Sequence, residues 1–210
     1  MNTHIIDALT PAMVKSGHKV FQIHRFARDE SAHLARLERW AELPYGAEVI
    51  DLGCGVGEMA RILRKLRPDL KFTLVNISAT QLDYCSAHHR VLLCDFAKVP
   101  VKDASFDAAL LCFAIGHGDA AQVLREVRRI LRRGGVLFIY DMVRVSGDNK
   151  KMAVVQYHVE SREFMENAAE GFRLDWYMEP QDDGTYRKSV IGDSDVFDGT
   201  IPAIWRFIKS

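Results

Sequence analysis

The spacing of hydrophobic residues changes repeatedly along this chain, and the changes predict alternating strands and helices. Helical spacing is clear at Met59, Ile62, Leu63 and Leu66, which recur at intervals of three and four as on one buried helix face. Short, almost uninterrupted apolar runs are instead typical of strands that are buried on both faces of a sheet. Such runs occupy 49–52, 72–75, 91–94, 108–113 and 136–140.

Capping and breaking residues place the ends of the helices between these runs. Ser78, with Gln81 three residues later, fits a capping box and predicts a helix that runs to about His88. Asp119 can cap the next helix, which is closed by Gly134-Gly135. This part of the chain therefore predicts a repeated strand–helix unit.

The first 45 residues have a helical and polar pattern. Thr10-Pro11 predicts an N-cap followed by proline at the first helical position, and Asp29 can cap a longer helix. The stretch 18–26 between them mixes aromatic and basic side chains, including His24. It fits an ordinary surface helix or a flap over a ligand, and we expect residues 1–45 to form an N-terminal helical cap.

The pattern changes again after residue 141. Residues 142–160 are predicted to be an irregular connection, and Ser161 can cap a helix that ends at Gly171. Two further apolar runs, 172–178 and 203–208, are separated by turn signals and predict a hairpin rather than another crossover.

These elements predict an α/β fold in two regions, the cap of residues 1–45 and a main domain of residues 46–210. Strands that alternate with amphipathic helices form a parallel sheet covered on both faces. We therefore expect a Rossmann-like three-layer sandwich. Its seven-stranded, mostly parallel sheet carries a C-terminal antiparallel hairpin and helices on both faces.

Charge and composition give no sign of an extended anionic partner or a membrane. The chain of 210 residues is 48% hydrophobic, and its 28 Lys and Arg balance its 28 Asp and Glu. No apolar stretch approaches the roughly 20 residues of a membrane span, and residues 1–4 lack a secretory signature. We therefore expect a cytoplasmic protein, with nucleic acid an unfavoured partner.

The four cysteines, Cys54, Cys85, Cys94 and Cys112, lie far apart along the chain without the spacing of metal ligands. We expect them to be buried thiols in a reducing compartment, with no disulfide framework and no metal site.

The stretch Val49–Gly57 carries the strongest chemical signal in the chain. An apolar run ends at Asp51-Leu52, three glycines alternate with small residues, and a helical pattern follows. Glycine lets the backbone approach a ligand closely, and the helix that follows directs its free N–H groups towards it. This arrangement predicts a nucleotide-like ligand at the carboxyl end of the first strand.

Five motifs in this order resemble the class I S-adenosylmethionine-dependent methyltransferases, in their small-molecule branch. The resemblance spans about residues 45–210. Its motifs are the glycine signature, the acid after the third strand, the approach to the fourth strand, the helix into the fifth strand, and the helix before the sixth. They lie at Asp51–Gly57, Asp95, 99–107, 127–137 and 161–172.

The resemblance implies S-adenosylmethionine as cofactor and assigns roles around it. The glycine turn would contact the amino-acid portion, and Asp51 would organise the turn or reach the amino group through water, unless it is only a loop anchor. Asp95 would accept a hydrogen bond from the adenine amino group, beside the backbone N–H of Phe96. The implied cofactor-binding residues are Asp51, Gly53, Cys54, Gly55, Gly57, Asn76, Ile77, Gln81, Asp95, Phe96 and Phe113.

Asn76 departs from the family pattern, which usually has Asp or Glu at the tip of the second strand to hold the ribose hydroxyls. Asn has one acceptor oxygen and an amide donor, so it can hold one hydroxyl without charge assistance. Asn76-Ile77-Ser78 followed by Gln81 resembles a subset that includes lipid- and isoprenoid-modifying methyltransferases.

His117 is the first candidate for a general base, because the loop after the fourth strand lies under the methyl group in this family and imidazole titrates near neutrality. The alternatives are that His117 only packs against the cofactor, or that the acceptor needs no base. His24 and His158 are weaker candidates.

We therefore expect in-line transfer of a methyl group to an O, N or C nucleophile of a small molecule, in a monomer or homodimer. A nicotinamide oxidoreductase would need glycine where Glu58 stands. A nucleic-acid methyltransferase lacks support because the motifs of exocyclic-amine and cytosine C5 methylation are absent. A non-catalytic cofactor-binding module is the remaining alternative.

Overall fold

A single seven-stranded sheet forms the centre of the molecule. The computed structural model describes residues 4–15, 30–85, 87–148, 156–179 and 198–210. In chain order the strands are β1 Glu48–Leu52, β2 Lys71–Asn76, β3 Arg90–Leu93, β4 Phe106–Cys112, β5 Leu131–Arg144, β6 Phe172–Met178 and β7 Thr200–Lys209. The sheet order is β3-β2-β1-β4-β5-β7-β6.

Helices connect and flank these strands. They are α1 His4–Lys15, α2 Glu30–Ala41, α3 Glu58–Leu66, α4 Ala79–Leu82, α5 Ala120–Ile130 and α6 Arg162–Ala168, with a short 3₁₀ helix at Ile115–His117. Gly57, in the left-handed conformation, precedes α3, while Asp119 and Ser161 cap α5 and α6 through their side-chain oxygens.

The strand directions confirm the predicted α/β fold. Strands β1 to β5 are parallel, whereas β7 pairs antiparallel with both β5 and β6. The order of the strands reverses between β1 and β4, because the chain first builds outward through β2 and β3 and then returns. In open α/β sheets, ligands bind in the crevice at the carboxyl ends of the strands that flank such a reversal.

Two apolar layers cover the sheet, as the alternation of side chains along the strands requires. In β1, Val49 belongs to a core shared with α2 and α3, while Ile50 belongs to a core shared with α5 and α6. Leu34 and Leu37 of α2 are completely buried in the first of these layers. The predicted division between residues 45 and 46 stays a prediction.

Four local predictions were wrong. Helix α5 ends at Ile130, where β5 begins, rather than at Gly134-Gly135. Helix α4 ends at Leu82 rather than near His88, and it buries none of its residues, so no tertiary packing extends it. Thr10 and Pro11 lie inside α1, and Thr10 is a side-chain donor to the Ile6 carbonyl at 2.7 Å rather than an N-cap. Strand β5 continues to Arg144, because β7 pairs with it from Val136 to Arg144.

The proposed flap at 18–26, with His24, lies outside the described residues.

Candidate cofactor and acceptor site

Two loops meet at the crevice between β1 and β4, one carrying the glycine turn and the other following Cys112. Gly53 adopts φ +80°, and a Cβ there would lie 2.6 Å from the Cβ of Ala114. The amides of Gly53 and Cys54 donate to the Val75 carbonyl at 2.9 and 3.1 Å. Only glycine allows this approach, so the sequence fixes the contact between the loops.

Asp51 is a buried carboxylate at the root of the glycine turn, with an exposed fraction of 3%. No donor within the described residues reaches its Oδ2 atom. Burial raises the pKa of Asp51 to about 7. A buried oxygen that lacks a donor is costly, and a cationic amino group would satisfy it.

The glycine turn leaves room for a ligand next to this carboxylate. Gly55 has φ +56°, and no heavy atom lies within 4 Å of the position of a Cβ there. The residues present therefore fit the amino-acid portion of S-adenosylmethionine, and the role of Asp51 towards its amino group stays a prediction.

Asn76 is bonded to the protein through both ends of its side-chain amide. Its Nδ2 donates to the Gly55 carbonyl at 3.2 Å and to Gln81 Oε1 at 2.8 Å. Its Oδ1 accepts from the Ser78 amide at 3.1 Å. Asn76 thus joins the glycine turn to α4, and its role at the ribose stays a prediction.

Gln81 forms only half of the predicted capping box. Ser78 Oγ accepts from the Gln81 amide at 3.0 Å, as an N-cap should. The Gln81 side chain instead accepts from Asn76 and donates to Thr10 Oγ1 at 3.4 Å. Ser78 Oγ also bonds to Asp7, so helix α1 lies against the tip of β2. Ile77 is half-buried and lies between Asn76 and Ser78 in the chain.

Asp95 and Phe96 follow β3 at the same edge of the sheet. Asp95 is exposed, and its Oδ1 accepts from the Ala97 amide at 2.8 Å. Phe96 is buried, and its ring lies 3.8 Å from the position of a Cβ on Gly53 and 3.1 Å from that on Gly118. The ring fills the space between the two loops, and the adenine role of Asp95 stays a prediction.

Phe113 has a left-handed backbone, which is unusual for a residue with a Cβ: its φ is +52°. Its amide donates to the Tyr140 carbonyl at 2.8 Å, and its ring packs edge-on against the Tyr140 ring, with centroids 4.8 Å apart. Such strained residues concentrate at functional sites.

His117 lies at the end of the same loop, where its protonation pattern can be derived. Its Nδ1 is 3.2 Å from the Gln156 carbonyl oxygen. Since a carbonyl oxygen only accepts, Nδ1 carries the hydrogen, and Nε2 is the basic nitrogen of the neutral ring. Burial lowers the pKa of His117 from its ordinary value.

The two weaker histidine candidates fare differently. The His158 amide donates to the Gly116 carbonyl at 2.7 Å, so His158 lies beside the loop of His117. Its imidazole Nε2, however, is 3.0 Å from Glu160 Oε1. His24 falls outside the described residues.

Asp141 and Tyr157 were not among the predicted catalytic or cofactor-binding residues. Asp141, buried at the point where β5 passes the loop, accepts from the amides of Ala114 and Ile115 and from the Tyr157 hydroxyl. The sequence signal was an acid after the apolar run of β5, the same signal that marked Asp51 and Asp95.

The four described cysteines are free thiols and half-buried. Cys54 and Cys85, distant in sequence, both direct their sulfur atoms to the Gly55 carbonyl, at 3.5 and 3.9 Å. Within the ranges given above, no group of three His, Cys, Asp or Glu side chains could hold a metal ion. None of the helices in the described part of the chain has the length and apolar character needed to cross a bilayer.

A family model described as a methyltransferase domain matches residues 50–139. This range contains the glycine turn, Asn76, Asp95 and the loop of His117.

Two curated relatives illustrate the range of similar proteins. A demethylmenaquinone methyltransferase of Thermotoga maritima is 33% identical over 100 residues, which are 46% of this chain and 44% of the relative. A ribosomal RNA-processing protein 8 of Caenorhabditis briggsae is 32% identical over 50% of this chain and 29% of the relative. The chain therefore spans less than half the length of these relatives.

Solved structures share the whole fold. The [4+2]-cyclase SpnF has a TM-score of 0.80 at 17% identity, over 98% of this chain and 94% of that chain. Geranyl diphosphate C-methyltransferase from Streptomyces coelicolor, solved with Mg²⁺, geranyl diphosphate and S-adenosylhomocysteine, has a TM-score of 0.74 at 15% identity, over 86% and 78%. Residues 50–139 thus match a methyltransferase domain family, and the chain shares the fold of these solved structures.

Proposed function

We propose that this protein transfers a methyl group from S-adenosylmethionine to an O, N or C nucleophile of a small molecule. The observation that supports this most directly is the unpaired, buried Oδ2 of Asp51 beside an open glycine turn. Burying a carboxylate oxygen without a donor costs free energy, and a neutral ligand would not offset that cost fully. A ligand with a cationic amino group would supply a charged donor to this oxygen and offset the cost.

The other residues around the crevice have separate proposed roles in binding the cofactor and the acceptor. Gly53 to Gly57 allow close approach of the ligand, while Asp95 and Phe96 border the position expected for adenine. When bound, S-adenosylmethionine supplies an electrophilic methyl group on a positively charged sulfur. The loop of Phe113 to His117 then has to exclude water and align the acceptor with that methyl group.

His117 can act as the base for acceptors that must lose a proton. Its Nδ1 hydrogen is held by a backbone carbonyl, and its lowered pKa keeps Nε2 unprotonated near neutral pH. A neutral amine acceptor, which attacks through its lone pair, would need no base for the transfer.

A nucleic-acid acceptor is the second candidate, because one relative is a ribosomal RNA-processing protein. Two of the four arginines around the end of α5, Arg129 and Arg132, argue against it. Arg129 is bonded to Glu126 and Asp103, and Arg132 to Asp107. Their charges are thus paired within the protein, and the chain has no net positive charge to attract phosphates.

The proposal is tested first by calorimetric titration with S-adenosylmethionine and S-adenosylhomocysteine. We expect both to bind, and Asp51→Asn to weaken the binding of S-adenosylhomocysteine by about 1.5–3 kcal/mol, the worth of a hydrogen bond to a charged group. Asp103→Asn, a change at an exposed turn, is the matched control and should leave binding unchanged.

Absence of binding by the wild-type protein would refute the cofactor assignment. Equal affinities of the wild type and Asp51→Asn would remove the role of Asp51. Transfer of label from methyl-labelled S-adenosylmethionine into small-molecule or RNA fractions of a cell extract then separates the two acceptor classes. Binding without transfer to either fraction would support the non-catalytic module.

A further inference from the structure

Asp141 gathers four hydrogen bonds at the carboxyl end of β5. Its Oδ2 accepts from the Ala114 and Ile115 amides at 3.1 and 3.3 Å. Its Oδ1 accepts from its neighbour Met142 at 2.7 Å and from the Tyr157 hydroxyl. Asp141 is only 1% exposed, so these four donors, rather than solvent, satisfy its carboxylate. One carboxylate therefore ties two separate segments to the strand.

The first segment begins with the strained Phe113. A residue with a Cβ is strained in the left-handed region of backbone conformation, so the surrounding backbone has to hold it there. Asp141 accepts hydrogen bonds from the two amides that follow Phe113, those of Ala114 and Ile115. Ala114 is also the residue whose Cβ meets Gly53. Asp141 thus fixes the loop of β4 at its contact with the glycine turn.

The second segment carries Tyr157 to His117. The Tyr157 and His117 rings pack edge to face, with centroids 4.7 Å apart and planes at 87°. A Cβ at Gly116 would collide with the Tyr157 ring and lie 2.6 Å from the His158 carbonyl oxygen. The residue before Tyr157, Gln156, is itself left-handed at φ +52° and gives its carbonyl to His117 Nδ1.

We propose that Asp141 and Tyr157 are positioning residues for His117, holding its ring in the Nδ1–H form with Nε2 available to an acceptor. The proposal rests on the function proposed above, in which His117 is the candidate base. Asp141 acts through the backbone of Ala114 and Ile115 and through the Tyr157 hydroxyl. Tyr157 acts through its ring and through the carbonyl of Gln156.

Several titratable groups face this pair and bear on its test. Burial raises the pKa of Cys112, and the nearby charges of Asp51 and Asp141 raise it further. His158 and Glu160 line a cavity of about 10 Å³ together with Asp141. His158 is already paired with Glu160. Within the described residues, the imidazole of His117 bonds from Nδ1 to the Gln156 carbonyl, and not to these groups. The tautomer and the pKa of His117 can therefore be measured separately from theirs.

Nitrogen-15 NMR of the imidazole reports the tautomer and the pKa of His117 directly, with no ligand present. In the wild type we expect the Nδ1–H form and a pKa below the ordinary histidine value. In Tyr157→Phe and Asp141→Asn we expect a mixture of tautomers and a pKa of His117 that falls further, because the hydrogen bond to the Gln156 carbonyl, which raises that pKa against the effect of burial, is weakened. Amide hydrogen exchange at Ala114 and Ile115 should be at least tenfold faster in Asp141→Asn.

Tyr177→Phe is the matched control. Tyr177 lies on the outer strand β6, and its hydroxyl also donates to a carboxylate, that of Glu179. It should leave His117 unchanged. If Asp141→Asn fails to fold, Tyr157→Phe decides the question alone. Wild-type tautomer and pKa in Tyr157→Phe would overturn the proposal. Failure of S-adenosylhomocysteine to bind the wild type would instead refute the proposed function, which this NMR measurement does not use.

Discussion

Asn76 shows how one side chain can satisfy the structure while departing from the family pattern. Both hydrogens of its amide are donated, to the Gly55 carbonyl and to Gln81 Oε1. A carboxylate has no hydrogen to offer either oxygen. The amide at this position is therefore required by the contacts of the glycine turn with α4.

Replacing Asn76 with the family's usual aspartate should accordingly harm this protein. Asn76→Asp would bring a carboxylate against two acceptor oxygens in a site that is 6% exposed. We expect a loss of about 1–3 kcal/mol in the free energy of unfolding, measured in urea. We also expect no gain in affinity for S-adenosylhomocysteine.

Asp83→Asn, an exposed change at the end of α4, is the control for that experiment. A variant Asn76→Asp that is as stable as the wild type and binds S-adenosylhomocysteine more tightly would contradict the structural role of the amide.

The site residues that could be predicted from sequence are those marked by local patterns. Glycines spaced between a strand and a helix, and acids at the ends of apolar runs, predicted Asp51, Gly53 and Asp95 at the carboxyl edge of the sheet, while their roles towards the cofactor stay predictions. Asp141 carried the same local mark, but its role depends on partners up to 27 residues away. Spacing along the chain does not contain such contacts.

At the scale of elements, β7 and α2 are joined by one buried arginine. Arg206 is 8% exposed, its Nε donates to the Ala41 carbonyl at 3.0 Å at the end of α2, and it is paired with Asp175 on β6. The last carbonyls of a helix have no partner within it. Arg206 thus supplies a donor to α2 and links it to two strands.

Arg206→Met should therefore destabilise the protein beyond the loss of one surface charge. It keeps the aliphatic stem but removes the donor of the Ala41 carbonyl and leaves Asp175 with Arg173 as its remaining cationic partner. We expect the free energy of unfolding to fall by about 2–4 kcal/mol, as when one partner of a mostly buried pair is removed.

Arg206→Lys retains the charge and should lose less stability than Arg206→Met. Equal urea midpoints for Arg206→Met and the wild type would show that Arg206 does not stabilise the packing of α2.

The strands were more predictable than the helices because their apolar runs are the layers of the core. Helix α4 was overestimated because its capping signal is real but its residues bury no apolar face. Strand β5 was underestimated because its extension depends on β7, which pairs with Met142 to Arg144 from far along the chain.

At the scale of the whole molecule, two buried carboxylates set a pH dependence of stability. The pKa of Asp51 is raised to about 7 and that of Asp141 to about 6, in both cases because of burial. A raised pKa means that the folded state holds the proton more tightly than the unfolded state. Their contribution to stability is therefore present at low pH and is lost as the pH rises towards 7.

We expect the free energy of unfolding of the ligand-free protein to be lower at pH 8 than at pH 5, with Asp51 contributing about 1–3 kcal/mol of the difference. Urea titrations at both values measure it, and Asp51→Asn removes the contribution of Asp51. A pH dependence in Asp51→Asn identical to that of the wild type would show that Asp51 titrates normally.

The position of β7 has a consequence for synthesis of the chain. β7 is the last described strand along the sequence, yet it lies inside the sheet, between β5 and β6. Until residues 200–209 have left the ribosome, β5 exposes one edge from Val136 to Arg144, and Trp205 and Phe207 are missing from the core. Unpaired edges of this kind recruit other strands. Protection of the emerging β5 edge is therefore a requirement of biosynthesis for this protein, and slowing translation just before residue 200 should lower the yield of folded protein.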